Sequence, residues 1–137
     1  MRNNNYTLTN FLFFVNGSNQ IILTVDDCKI APAICHESLL ADHSENTVKL
    51  GAEIYLVSVA KSQTGVDKAM NHYSVAAKRF SIPVLMSNCV GYCDNFTSAG
   101  QSAVWTRQGN LAGQLDDKSE GILIFDTRTE EVLKHVL

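Results

Sequence analysis

The sequence predicts an α/β layered fold, and three observations carry that prediction. Strand-like and helix-like segments alternate along the 137 residues, the pattern of layered α/β domains. Ile54-Tyr55-Leu56-Val57-Ser58-Val59 is an apolar run that suits a buried strand covered on both faces. Val66, Ala69, Met70, Tyr73, Ala76, Ala77 and Phe80 recur at helical spacing, so one face of a helix packs on the sheet. A chain of this length makes one domain, and 45% hydrophobic content is ordinary for a globular protein.

The elements follow in order. Ile21-Ile22-Leu23-Thr24-Val25 reads as a strand, with Asp26-Asp27 as its turn. A second strand covers residues 29–35, and Pro32 within it must sit at a bulge or where its missing N–H does no harm. Residues 36–50 read as a helix through Leu39, Leu40, Val48 and Leu50, stopped by Gly51. After the apolar strand, Thr64 with Asp67 three residues on is a capping signal for the clearest helix. Ile82-Pro83-Val84-Leu85-Met86-Ser87 is a strand, and residues 88–100 form a polar, glycine-bearing loop. Residues 102–106 and 111–115 flank Gln108-Gly109-Asn110, a hairpin turn signal. Residues 121–126 are a further strand. Thr127-x-x-Glu130 then reads as a capping box for a last helix with Val132, Leu133, Val136 and Leu137 on its apolar face.

Composition excludes several partners. The formal charge is −3 with both signs scattered, whereas a nucleic-acid binder shows a basic patch or stripe. No run is long enough to span a bilayer. The start carries only the short apolar run Phe11-Leu12-Phe13-Phe14-Val15, shorter than a secretory signal requires. The expected location is the cytoplasm. The Asn-x-Ser/Thr sequons at Asn5, Asn16 and Asn95 are then chance occurrences. Cys28, Cys35, Cys89 and Cys93 fit a reducing compartment in a chain large enough to build a core without staples. Cys89-x-x-x-Cys93 invites a zinc reading, but no second tight pair completes a site, so no metal is expected.

The chemistry concentrates at Ala33-Ile34-Cys35-His36-Glu37-Ser38. A cysteine ends an apolar strand and a helix begins directly after it. Such an elbow exposes the sulfur at the carboxyl end of a sheet, where α/β sites form. It also sets the thiol near a helix N-terminus, which lowers a free thiol pKa from about 8.5. Backbone N–H groups at the elbow suit an oxyanion. The competing reading is a cysteine that acts only as a small buried hydrophobe. Local pattern alone leaves both open.

Ala33-Ile34-Cys35-His36-Glu37 resembles the Ile-Cys-Tyr-Glu box of nitrilase-superfamily amidases, with His36 where Tyr is common. Lys49-Leu50-Gly51-Ala52-Glu53-Ile54-Tyr55 resembles the family's Gly-Ala-Asp/Glu strand entry. Pro83-Val84-Leu85-Met86-Ser87-Asn88 with Gly91 resembles its strand leading to an Asn-x-x-Gly loop. Ser98-Ala99-Gly100-Gln101-Ser102 resembles its Gly-x-Ser element, and Phe14-Val15-Asn16-Gly17 the glycine segment before the nucleophile strand. The five pieces stand in the family's order.

The resemblance implies an α–β–β–α sandwich of the carbon–nitrogen hydrolase type, in which two sheets pack face to face. It implies hydrolysis of amides, nitriles or carbamoyl compounds through a cysteine thioester, with no cofactor. Cys35 is then the nucleophile, and the backbone N–H of His36 contributes to the oxyanion site. The family's general-base glutamate and its lysine come from the N-terminal half of the domain. Residues 1–13 stand in that place, contain no Lys and no Glu, and do not resemble the family. The expected organisation is a non-matching start at 1–13 and the C-terminal half of such a domain at 14–137, with the N-terminal half missing.

Within the chain, Glu37 lies about 200° from Cys35 around a helix, so it reads as a first-turn carboxylate facing the helix dipole. Lys61, just past a strand end, reads as a substrate-side residue or a solvated loop lysine. Lys61, Asn88 and Trp105 are candidate pocket residues, with His36 beside them. The chain alone is expected to lack amidase activity and to leave an apolar sheet face unpaired. Homo-oligomerisation or association with an N-terminal half follows from such a face. The alternative is a non-catalytic remnant or a protein-binding or oligomerisation module on the same scaffold.

Overall fold

The computed structural model describes residues 19–137. The start at residues 1–13, the Phe14-to-Gly17 segment and the sequons at Asn5 and Asn16 lie outside the described residues. β1 (Leu23–Val25) turns through Asp26 and Asp27, both at positive φ, into β2 (Cys28–Ile34). A short 3-10 helix (Cys35–Leu39) and α1 (Ala41–Lys49) lead to β3 (Ile54–Val59). α2 (Gln63–Phe80) leads to β4 (Val84–Asn88). Three hairpins complete the chain: β5 (Val90–Cys93) with β6 (Phe96–Ala99), β7 (Ala103–Trp105) with β8 (Leu111–Gln114), and β9 (Gly121–Phe125) with β10 (Val132–Val136).

Six strands form one sheet in the order β1-β2-β3-β4-β7-β8. The three central strands are parallel and joined by the helices, and the outer pairings are antiparallel. β1 pairs with β2 only as far as Ile30, so Pro32 lies beyond its reach and costs no ladder bond on that edge. Alternation along each strand divides the sheet's two faces. Ala31, Ala33, Tyr55, Val57, Val59, Val84, Met86, Ala103 and Trp105 form one buried cluster with Ala69, Tyr73 and Ala77 of α2. The opposite face is partly bare: Ile34 is 69% exposed, Leu56 is 38% exposed, and Ser58 and Ser87 are exposed. The expectation that β3 is covered on both faces therefore holds on one face only.

Four local expectations are corrected. Residues 36–50 are not one helix: Leu40 is extended (φ −81°, ψ 127°) and separates the 3-10 turn from α1. Gly51 (φ +82°) does end α1, donating to Val48 O while Ala52 N–H reaches Thr47 O, a Schellman arrangement. α2 starts after Ser62, and Asp67 accepts from the Gln63 side chain (2.8 Å) rather than closing a capping box. Residues 88–100 are a hairpin, not a loop. Asp94 at φ +56° makes the tight turn, a conformation short polar residues tolerate.

The last helix is instead β10. Asp126 Oδ1 accepts from Arg128 and Thr129 N–H, and the Glu130 carboxylate accepts from Arg107 N–H and Nε–H. Thr127 and Glu130 thus belong to a hairpin turn, and period-2 pairing with β9 wins over the capping signal.

Candidate active site

Cys35 directly follows β2 at the carboxyl edge of the parallel strands, one residue past the pair Ile34–Ser58. Its sulfur-bearing residue is exposed, and its backbone is left-handed at φ +48°. A non-glycine residue there costs about 1–2 kcal/mol, and such strain gathers at functional sites.

The surroundings hold that conformation from both sides. The Ile34 N–H donates to Glu37 Oε1 at 2.7 Å. Ser38 Oγ donates to the carbonyl of Cys35 at 2.5 Å and lies 2.6 Å from Tyr73 Oη. Ser38 has one hydroxyl proton, already given to Cys35, so Tyr73 is the donor of the second bond. Burial pushes the Tyr73 phenol up, with a smaller contribution from Cys35, which keeps it protonated for that task. His72 Nε2 sits 3.2 Å from the Ser38 carbonyl. Ser38 and Tyr73 are both buried, and α2 therefore supports the elbow from beneath.

The sequence pattern marks Tyr73 only as a core residue and leaves Ser38 unnoticed. The available signal was chemical: a buried tyrosine hydroxyl needs a partner. Ser38→Ala would leave the Tyr73 hydroxyl unpaired and free the Cys35 carbonyl. The expected cost is about 1–3 kcal/mol in urea unfolding, with slower alkylation of Cys35. Unchanged stability and unchanged alkylation would remove Ser38 from the site.

The remaining candidates separate. Glu37 is committed to the Ile34 N–H and lies 3.8 Å from His43 Nε2, whose Nδ1 pairs with Tyr55 Oη at 2.9 Å. His36 is exposed in the first turn after Cys35. That turn belongs to a five-residue 3-10 helix, so the long helix expected behind the thiol is absent.

Lys61 lies two residues past β3, at the same sheet edge as Cys35. Its backbone is clamped: its N–H donates to Asn88 Oδ1 (2.8 Å), and its carbonyl accepts from Asn88 Nδ2, Ser98 Oγ and Ala99 N–H. Asn88 Nδ2 also donates to Gly100 O, and the single Ser98 hydroxyl proton is shared between the Lys61 carbonyl (3.1 Å) and Asn88 Oδ1 (3.2 Å). Every polar atom of Asn88 is thus used inside the protein. It borders an open cleft of about 310 Å³ with Ser87, Cys89, Gly100, Gln101 and Asp116, whose lining includes neither Cys35 nor Lys61.

Trp105 is 1% exposed, its ring centroid 5.5 Å from that of Tyr73. It is core, and a pocket-lining role is not kept for it. Among the described residues, no group of three or more His, Cys, Asp or Glu is placed to hold a metal, and no helix is long and apolar enough to cross a membrane.

Comparison with known proteins gives a family and a fold. The model of the carbon–nitrogen hydrolase family matches residues 2–133, which takes in all but the first residue of the start expected not to match. Among solved structures, the glutamine-dependent NAD+ synthetase of Acinetobacter baumannii, in complex with ADP, is similar at TM-score 0.78 and 20% identity. That match covers 90% of this chain and 24% of the synthetase. The amidase of Nesterenkonia sp. AN1 is similar at TM-score 0.71 and 19% identity, over 77% of this chain and 42% of its own; one structure of a variant shows acrylamide added at its active-site cysteine. Saccharomyces cerevisiae Nit3, a member of branch 10 of the nitrilase superfamily, is similar at TM-score 0.71 and 14% identity, over 90% of this chain and 42% of its own. The chain spans less than half the length of each. No curated protein matches it.

Proposed function

Because the chain belongs to the carbon–nitrogen hydrolase family, we propose that Cys35 is the nucleophile for hydrolysis of a small amide or nitrile through a thioester. The observation that carries this reading is the left-handed Cys35 at the end of a parallel strand, exposed and braced by Ser38, Tyr73 and Glu37. With an amide, the thiolate attacks the carbonyl carbon, and the carbonyl oxygen takes the negative charge. The N–H of His36, next along the elbow, is proposed to meet that charge. The C–N bond then breaks, the amine leaving with the proton that the base took from the thiol, and water hydrolyses the thioester to the acid and the free thiol. A nitrile reaches the same thioester once its thioimidate takes up water and releases ammonia.

The test compares two thiols of one chain. Burial, followed by the Glu53 carboxylate, pushes the Cys28 thiol up, which makes it an internal reference of low thiolate content. Iodoacetamide or acrylamide is expected to label Cys35 well ahead of Cys28. Equal labelling would sink the nucleophile reading.

In this reading the base and the electrophilic lysine come from an N-terminal half of such a domain. Glu37 is occupied at the Ile34 N–H, and residues 1–13 contain neither Lys nor Glu. We propose that the bare sheet face is where the rest of such a domain packs, supplied by an N-terminal half. The exposure of Ile34 and Leu56 and the 42% share of the relatives' length support this. The same bare face favours one second reading, a binding module. A partner that binds equally well to Cys35→Ala would select it.

A further inference from the structure

We propose that Cys89 and Cys93 form a dithiol site that low-molecular-weight disulfides oxidise to an intramolecular disulfide, separately from any chemistry at Cys35. Both cysteines are free, Cys89 is exposed, and their sulfurs lie 3.7 Å apart, Cys89 donating to Cys93. That proximity is not what their spacing dictates. Four residues along a straight strand span about 13 Å. Gly91, between them, has φ +87°, and a Cβ there would meet nothing within 4 Å. The bend at Gly91 accompanies a strand curled enough to bring the sulfurs together. A disulfide needs them only about 1.7 Å closer.

The exchange balances without another reactant. The Cys89 thiolate attacks one sulfur of a small disulfide such as glutathione disulfide, forming a mixed disulfide and releasing one thiolate. Cys93, deprotonated, then attacks the Cys89 sulfur, forming the intramolecular bond and releasing the second thiolate. Two protein thiols are oxidised, one small disulfide is reduced to two thiols, and the two protons pass to the released thiolates. Its hydrogen bond with Cys89, in which a neutral Cys93 donates once Cys89 is ionised, pushes the Cys93 thiol up, ahead of desolvation and the charges of Cys89 and Asp94, so the reaction accelerates in alkaline solution.

The site's position gives it a consequence. Cys89 directly follows Asn88, whose side chain holds the Lys61 backbone, and the same hairpin supplies Ser98 to that clamp. The bond would staple the outer end of β5 beside the clamp at the sheet edge that carries Cys35.

The test uses the full chain carrying Cys35→Ser, exposed to glutathione disulfide, then trapped with iodoacetamide and mapped by mass. The expected product is a peptide holding both cysteines that is lighter by two hydrogens, with Cys28 alkylated. Cys93→Ser in the same background should halt at a glutathione adduct on Cys89. A stable adduct in the chain that keeps both cysteines, or both remaining alkylatable after prolonged exposure, would overturn the proposal.

Discussion

Adding the N-terminal half of a related carbon–nitrogen hydrolase to this chain is expected to bring up amide hydrolysis that neither polypeptide shows alone and that Cys35→Ser abolishes. Loss of a general base costs about 10²- to 10⁴-fold in rate, and losing a lysine with it costs more because such groups act as a unit. The polar residues at the elbow and its sheet edge have other settings. Glu37 is tied to Ile34, His36 is exposed, and the Lys61 backbone is fixed by Asn88 and Ser98. Assembly should run through the bare face, where Ile34 is 69% and Leu56 38% exposed, so covering each contributes the matching fraction of the about 1.5–3 kcal/mol that full burial of such a side chain brings. Leu56→Lys should therefore block association in sedimentation and with it the recovered activity, while alkylation of Cys35 stays intact. Turnover by the chain alone that vanishes in Cys35→Ser would place a base inside these 137 residues. Activity that survives Leu56→Lys unchanged would put the contact elsewhere.

The parts of the fold legible in the sequence were those where period and burial agree. Ile54–Val59 is the strand the pattern predicts, though one of its faces is partly bare, the Val66-Ala69-Tyr73-Ala76-Ala77 face packs as predicted, and Gly51 and Gly109 mark true turns. At Gly109 (φ +84°) a Cβ would come within 2.6 Å of the Ser74 carbonyl, which explains glycine there. The misreadings share a cause. Thr127-x-x-Glu130 and Thr64-x-x-Asp67 carry capping composition, but other partners claim their acidic side chains: the distant Arg107 for Glu130, and Gln63, one turn earlier on the same helix, for Asp67. Residues 132–137 hold an apolar set that serves a strand as well as a helix, and the partner β9 decides it. Short apolar runs cannot separate the two by periodicity.

Of the proposed site, the sequence marks only Cys35. Cys35 stands out as a cysteine ending an apolar strand, but the left-handed backbone that singles it out depends on Ser38 and on Tyr73, 38 residues along the chain. Asn88 shows the limit of sequence from the other side. A polar residue at a strand end reads as a ligand contact, yet its amide is spent on Lys61, Ser98 and Gly100. Only the three-dimensional partners distinguish a clamp from a binding group.

Trp105→Ala is expected to lower stability by about 3–5 kcal/mol, the range for emptying a buried aromatic site. That is a large share of the roughly 5–15 kcal/mol that holds an ordinary domain together. Trp105 is 1% exposed in β7, where it packs on Tyr73 of α2 with ring centroids 5.5 Å apart. Tyr73 in turn donates to Ser38, and Ser38 to the Cys35 carbonyl. The cavity would loosen the helix that braces the elbow, so Cys35 alkylation should slow along with the fall in stability. Trp105→Phe, which keeps a ring against Tyr73, should recover most of both. Trp105 is the chain's one tryptophan, so urea midpoints are followed by circular dichroism rather than indole emission. A residue that merely lined a substrate pocket would shift stability by no more than about 0.5 kcal/mol, as surface changes do. A shift that small in Trp105→Ala would return this residue to the pocket and break the chain of contacts from the core to Cys35.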